Sequence, residues 1–334
     1  MRTPNIFDIY EDSSFSFEIE GRPQPENILI TGSRGMIGNA VARTYCSLME
    51  DGLIPKGRIL LASRSWPPAD RQAWINDTNV TLIENHEISK IDWKLDVVIH
   101  AASPSNITKI SKRSDLTESN QGILNSFLSL NPSHIVYLSS GEVYKGQDMI
   151  EGSHSTAFSE NVKRDWYALS KLETEQTLFE MSKSRNVNVT IIRLFHTFGP
   201  GVKRDDGRSF ADIIWGACEE RRIILRSSGN QIRTFLYLSD AINAIVGLAL
   251  SERQGYGIYN LGSVEPVSIK EFAERVAHIT NSDIVCEVNE TFPHSENHTI
   301  VPRIVKLSNY SWNPRVSLDE GIRLTVSWIK NSIQ

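Results

Sequence analysis

Cysteine is scarce. Cys46, Cys218 and Cys286 are the whole complement in 334 residues, and they lie far apart with no metal-type spacing. Neither a disulfide framework nor a cysteine-held metal is expected, so the metal complement is read as none. An excess of positive charge is also missing. Lys and Arg number 35 against 40 Asp and Glu, a net charge of −5, which argues against a nucleic-acid partner bound by counterion release. The opening stretch MRTPNIFDIYEDSSF has no apolar signal core, and no later run reaches membrane-spanning length. A soluble cytoplasmic protein with no membrane partner is expected, in which sequons such as Asn76-Asp77-Thr78 carry no meaning. Internal repeats and low-complexity tracts are absent too. With 40% hydrophobic residues the chain can bury one large core or two smaller ones.

The most informative stretch runs from Asn27 to Met49. Ile28-Leu29-Ile30 has the length and β-branched content of a buried strand. It enters Thr31-Gly32-Ser33-Arg34-Gly35-Met36-Ile37-Gly38 and then a segment with helical apolar spacing. Strand, glycine turn and helix form the context of a dinucleotide fingerprint. Gly32 allows the tight turn, Gly35 close approach of backbone to a pyrophosphate, and Gly38 close packing of helix on strand. The phosphates then meet the free N–H groups and positive dipole end of the helix. A glycine-rich turn that binds nothing is the alternative, and the flanking elements make it the poorer one.

Further strands are expected at 58–62, 80–83, 96–101, 133–139 and 188–194, with helices near 115–130 and 167–184. Nearly all-apolar strands alternating with helices predict an α/β fold, a doubly wound parallel sheet covered on both faces. After Phe195 the rhythm breaks into a turn at 198–201, the charged loop KRDDGR and shorter elements near 209–221, 223–226, 239–252 and 268–280. A closing helix is expected over Leu318–Ile329. Three divisions follow: a polar arm over 1–25, a dinucleotide-binding domain over 26–195, and a smaller α/β lobe over 196–334 whose segments can interleave with the first.

A second constellation joins Ser139-Ser140-Gly141-Glu142-Val143-Tyr144 to Tyr167-Ala168-Leu169-Ser170-Lys171. The first follows a strand and emerges at the carboxyl edge of the sheet, where ligands of open α/β sheets bind. The second opens a helix on which Tyr167 and Lys171 share a face. A nearby ammonium is expected to lower the tyrosine pKa towards neutrality, so that the phenol exchanges protons with a sugar hydroxyl. Ser140 then holds the same oxygen.

With these motifs the chain resembles the extended short-chain dehydrogenase/reductase family of nucleotide-sugar epimerases, dehydratases, decarboxylases and reductases. Its markers include TGSRGMIG at 31–38, DVVIHAAS at 96–103, Asn120, LSSGEVY at 138–144 and YALSK at 167–171. RLFHTFGPG at 193–201, RTFLYLSD at 233–240, YNLG at 259–262 and the late WNPRVSLDEGI extend the likeness. The resemblance implies a Rossmann sheet, a lobe for the nucleotide sugar, and a homodimer built on the two long helices. It implies that Ser140, Tyr167 and Lys171 are catalytic, with Glu142 as a further candidate. Gly32, Ser33, Arg34, Gly35, Met36, Ile37 and Gly38 are implied at the cofactor. So are Ser63, Arg64, Ala101, Ala102, Ser103 and Asn120, together with Tyr167 and Lys171. Ser140, Gly141, Glu142, His196, Arg208 and Arg233 are implied at a dTDP-, UDP-, GDP- or CDP-linked sugar, the arginines facing the diphosphate.

Three departures from the family pattern bear on function. The acid expected at the end of the second strand, which bonds the ribose 2′-hydroxyl, is replaced by Ser63-Arg64, and Arg34 sits inside the glycine turn. Two arginines suit a 2′-phosphate, so NADP(H) is favoured, with NAD(H) the alternative. Gly141 stands where dTDP-glucose-type 4,6-dehydratases carry an aspartate. Glu142 remains as a base near C5 or as a turn cap. His196 replaces the usual asparagine, and a packed histidine is expected there rather than a catalytic one. Compared with UDP-glucuronate decarboxylases, Leu172 replaces the arginine after the lysine. A phosphate-selective site fits net reduction, so the expected activity is NADPH-dependent reduction of a nucleotide 4-keto-6-deoxyhexose at C4. The alternatives are an internal-redox decarboxylase, dehydratase or epimerase, and an inactive nucleotide-binding regulator, which the intact Ser, Tyr and Lys disfavour.

Overall fold

Ile28, Leu29 and Ile30 are each fully buried, as a strand covered on both faces requires. Successive side chains point to opposite faces: Ile28 and Ile30 enter one core, Leu29 another. The computed structural model describes residues 24–74, 76–103, 113–144, 163–251, 255–287 and 301–333. The expected arm therefore lies almost wholly outside the described residues.

The first half of the chain alternates β1 (Asn27–Thr31), α1 (Met36–Glu50), β2 (Arg58–Ser63), α2 (Pro68–Gln72), β3 (Val80–Glu84) and β4 (Val97–His100). It continues with α3 (Arg113–Leu128), β5 (His134–Ser140), α4 (Lys163–Arg185) and β6 (Asn188–Leu194). The later elements are β7 (Thr197–Phe198), α5 (Ser209–Glu219), β8 (Arg222–Leu225), β9 (Ile232–Arg233), β10 (Leu236–Tyr237) and α6 (Leu238–Leu250). They end with β11 (Tyr256–Leu261), β12 (Val267–Ser268), α7 (Ile269–Thr280), β13 (Asp283–Cys286), α8 (Val305–Ser308) and α9 (Leu318–Ile333).

A seven-stranded parallel sheet runs in the order β11-β6-β5-β4-β1-β2-β3. The winding reverses between β1 and β4, so a crevice opens at the carboxyl ends of these two strands, the place where such sheets bind ligands. On one face Val41, Tyr45 and Leu48 of α1 and Ile242 and Ile245 of α6 share a core. On the other, Leu124 and Phe127 of α3 pack with Leu178 and Met181 of α4. The doubly wound reading is correct, and six of its strands were legible. The seventh, β11, gives no clear strand signal in the sequence, because Gly257 and Asn260, which is buried, interrupt its apolar character. It nonetheless pairs with β6 from Tyr256↔Val189 to Leu261↔Leu194.

The smaller lobe has its own core, in which Phe198, Phe210, Phe235, Phe272 and Ile322 are buried together. Helices α5, α7 and α9 surround it, with β8 and β13 paired in parallel. Among the described residues no helix is long and apolar enough to cross a membrane.

Candidate active site

The glycine turn is dictated by contact. Gly32 has φ +70°, and a Cβ there would lie 2.6 Å from the Ala102 nitrogen and 2.7 Å from the Ala101 carbonyl carbon. A Cβ on Gly38, in the first turn of α1, would meet the Gly32 oxygen at 2.4 Å. Gly35 begins α1 with no side-chain cap, so the orphan N–H groups of the helix face the crevice unanswered by a side chain. The Ser33 hydroxyl donates to the Ala62 carbonyl at 3.0 Å and ties the turn to β2. On the other side, the Ala101 nitrogen donates to the Thr31 carbonyl at 3.2 Å. The result is a cradle walled by backbone at both glycines, which fits a dinucleotide pyrophosphate. Met36 and Ile37 lie in the first turn of α1 just beyond it.

At the far end of the cradle the two arginines expected at a 2′-phosphate differ in their surroundings. Arg64 is exposed and Ser63 is buried at the end of β2. Arg34, however, forms an ion pair through Nε with Asp70 of α2, and its Nη1 donates to the Ser65 carbonyl at 3.4 Å. A carboxylate is thus present in space although none stands at the strand end in sequence.

The catalytic candidates converge at the ends of β5 and the start of α4. Lys171 is buried, and its ammonium donates to the Leu138 carbonyl at 2.7 Å. It lies 5.6 Å from the centre of the Tyr167 ring. Burial lowers the Lys171 pKa to about 7, opposed by the Glu175 carboxylate. Tyr167 corrects the sequence expectation: its pKa is raised, not lowered. Burial is the largest cause, and Glu142 adds to it; Arg208 and the Ser140 and Ser103 hydroxyls pull the other way. The Lys171 ammonium is aimed at a backbone carbonyl and so does not offset the desolvation. Ser103, expected at the cofactor, lies near enough to Tyr167 to favour its ionisation, yet its buried hydroxyl has no hydrogen-bond partner among the described residues. His100 beneath them is held as the uncharged imidazole, its pKa pushed down to about 3 by burial and by Lys171. Its Nδ1 lies 2.7 Å from the Thr31 hydroxyl.

A lysine whose folded pKa sits below its unfolded value of about 10.4 binds fewer protons when folded. Its contribution destabilises the fold below about pH 7 and is relieved as pH rises towards 10. The ligand-free protein is therefore expected to gain stability over that window relative to Lys171→Met. Denaturant midpoints of both proteins at pH 6, 8 and 9.5 check this, and parallel pH profiles would refute it.

On the substrate side, Gly141 and Glu142 form a 3₁₀ turn after β5, and the Glu142 nitrogen donates to the Ser140 hydroxyl at 3.2 Å. A Cβ at Gly141 would meet the Phe195 ring at 2.7 Å, so the missing aspartate reflects a space already filled. Leu172 packs with Val143, Tyr144 and Phe195. His196 is packed, its ring edge-on to Phe235 at 5.8 Å and Phe210 at 6.4 Å. Arg208 pairs with Asp206 through both Nε and Nη2, with its guanidinium 4.7 Å from the Phe210 ring centre. Arg233 donates to the Ile232 carbonyl at 2.7 Å. Asn120 bonds Ser170 at 2.9 Å, bracing α3 against α4 beside Lys171.

Beneath the site lies a network that the sequence reading missed. Glu175, one turn beyond Lys171, accepts from the Ser139 hydroxyl at 2.5 Å and from Arg193 at 3.1 and 2.7 Å, with both charged side chains fully buried. The Arg193 guanidinium lies 4.7 Å from the Tyr144 ring, whose hydroxyl donates to Asn260 at 2.8 Å. Two signals existed: an arginine inside the apolar strand NVTIIRL needs a buried partner, and Glu175 sits at the i+4 position from Lys171.

Comparison with known proteins bears on this geometry. UDP-glucuronic acid decarboxylase 5 of Arabidopsis thaliana is 26% identical over 309 residues, 89% of this chain and 87% of that protein. UDP-N-acetyl-alpha-D-glucosaminuronate decarboxylase of Bacillus cytotoxicus is 27% identical over 268 residues, 75% of this chain and 82% of that protein. In fold, UDP-glucuronic acid 4-epimerase of Bacillus cereus, solved with UDP-glucuronic acid and NAD, superposes with a TM-score of 0.73 at 21% identity, covering 92% of this chain and 99% of that one. The model of the NAD dependent epimerase/dehydratase family matches residues 28–262, from β1 through β11 and past it to Gly262, and the chain belongs to that family.

Proposed function

We propose that the protein is an internal-redox enzyme of a nucleotide-linked sugar, most closely a UDP-sugar, that oxidises C4 and then returns the hydride to the same molecule. The observation that carries this reading is the meeting of Ser140, Tyr167 and Lys171 beside the glycine cradle. In it Tyr167 takes the proton of the C4 hydroxyl, Ser140 holds the same oxygen, and Lys171 bonds the nicotinamide ribose. Gly32 to Gly38, Ala101 and Ala102 hold the dinucleotide, which when bound accepts the C4 hydride and gives it back. Arg208 and Arg233 face the sugar-nucleotide diphosphate, and Glu142 exchanges the proton at C5. A hexuronate carboxyl becomes β to the C4 ketone and leaves as CO2, its electron pair taking a proton at C5. A neutral hexose returns as either C4 epimer.

This reading replaces the reductase as first choice for two reasons. Arg34 is already paired with Asp70, and two relatives spanning most of the chain are UDP-hexuronate decarboxylases. The NADPH-dependent C4 reductase of a 4-keto-6-deoxyhexose remains the second reading, supported by exposed Arg64 and by Leu172 among apolar side chains. Absorbance of reduced nicotinamide, followed with UDP-glucuronate, UDP-glucose and 4-keto-6-deoxy substrates, separates them. Turnover without net change is expected; stoichiometric loss of NADPH would install the reductase instead.

A further inference from the structure

The register Thr31↔Ala62 sets the glycine turn beside the end of β2, and the Ser33 hydroxyl fastens it there on the Ala62 carbonyl. In a glycine-fingerprint cradle the residue at the end of this second strand meets the adenosine ribose at its 2′ position. Here that strand ends in Ser63, whose short side chain is buried, followed by the exposed Arg64. The Arg34 guanidinium and the Asp70 carboxylate reach the same end from two different elements, the turn and α2, and meet there. Arg34 is also tied to the Ser65 carbonyl, so the pair sits over the segment that follows Ser63.

Resting on the dinucleotide reading of the cradle, we propose that Asp70 decides cofactor choice by competing with a 2′-phosphate for the Arg34 guanidinium. The strand-end acid of an NAD site both bonds the 2′-hydroxyl and repels a phosphate. Asp70 supplies the second effect from outside the motif. With the pair intact, the 2′ position meets a neutralised arginine and a carboxylate, which accept a hydroxyl and oppose a dianion. With Asp70 discharged, Arg34 and Arg64 face the phosphate together. The two arginines in the sequence therefore do not by themselves specify NADP(H).

The test measures dissociation constants of NADH and NADPH by nicotinamide fluorescence, at fixed salt because the effect is electrostatic. Wild type, Asp70→Asn, Arg34→Ala and the double variant are compared. Both side chains are more than a third exposed (36% and 39%), so the substitutions leave the core intact, and circular dichroism verifies it. Wild type is expected to bind NADH at least as tightly as NADPH. Asp70→Asn is expected to tighten NADPH roughly ten- to a hundredfold, the worth of a freed charge-assisted bond, with NADH changed less than threefold. Adding Arg34→Ala should erase the gain. An unchanged NADPH constant in Asp70→Asn, or a gain that survives without Arg34, overturns the role of Asp70 while leaving the internal-redox reading standing. A wild type that prefers NADPH overturns both, and one that binds neither dinucleotide removes the cradle reading itself.

Discussion

Replacing Tyr167 by phenylalanine is expected to lower turnover roughly a hundredfold or more, the usual worth of a positioned general acid or base. The ring stays, so packing at the start of α4 and the affinity for cofactor should stay close to wild type. What is lost is the phenol oxygen, whose proton Ser140, Ser103 and Arg208 help to loosen against the effect of burial. Burial holds that phenol protonated in the ligand-free protein, with Arg208 opposing it. In that state the tyrosine is a weaker acid than a free phenol, and it becomes a base for the C4 hydroxyl only when further positive charge enters the site. Oxidation at C4 should accordingly be the direction that slows most at low pH in wild type, and that dependence should vanish in the variant. The measurement is kcat against pH beside the cofactor dissociation constant. Near-normal turnover would remove Tyr167 from the chemistry, and a large loss of cofactor affinity would make its role structural.

How much of this site was readable depended on whether one stretch of chain carried the whole signal. The cradle was legible because Gly32, Gly35 and Gly38 stand at fixed spacing within a single strand, turn and helix, although the wall against Gly32 comes from Ala101 and Ala102 beyond β4. Tyr167 and Lys171 were legible for the same reason, being four residues apart on one helix. The state of Tyr167 was not, since its pKa depends on what the loop before α5, the end of β5 and the 101–103 segment bring against it from elsewhere in the chain. Asp70 carried no sequence signal at all. It lies in a five-residue helix with no buried residue, and only the fold sets it against Arg34. Gly141 taught the opposite lesson: its missing side chain looked like lost chemistry, and the Phe195 ring accounts for it by volume. Strand β11 escaped because strand recognition relies on apolar runs, and here a buried asparagine replaces one member in order to hold Tyr144 and the Arg303 carbonyl.

The largest effect on stability should come from Glu175. It and Arg193 are both fully buried, joined by two hydrogen bonds, with Ser139 as a third donor to the carboxylate. Such a pair adds little net stability over apolar residues of equal volume, because both ions had to be desolvated. Removing one partner is different, since the other is left charged in a site without water. Glu175→Ala is therefore expected to cost about 3–5 kcal/mol, a large share of the roughly 5–15 kcal/mol that holds a domain folded. Urea unfolding at constant pH reads this as a lower midpoint with an unchanged slope. Glu175→Gln keeps one acceptor oxygen, which can serve Ser139 and the Arg193 Nε, and loses the acceptor of Nη2, so its loss should be smaller than that of alanine but not small. It also removes the carboxylate that supports the Lys171 ammonium, and should move that lysine's titration below pH 7. The pair Glu175→Leu with Arg193→Met should recover most of the stability lost by either change alone, since no buried charge then remains. A loss under about 1 kcal/mol for Glu175→Ala would mean that Arg193 reaches water by another route, and a double variant no better than the single ones would refute the ion-pair account.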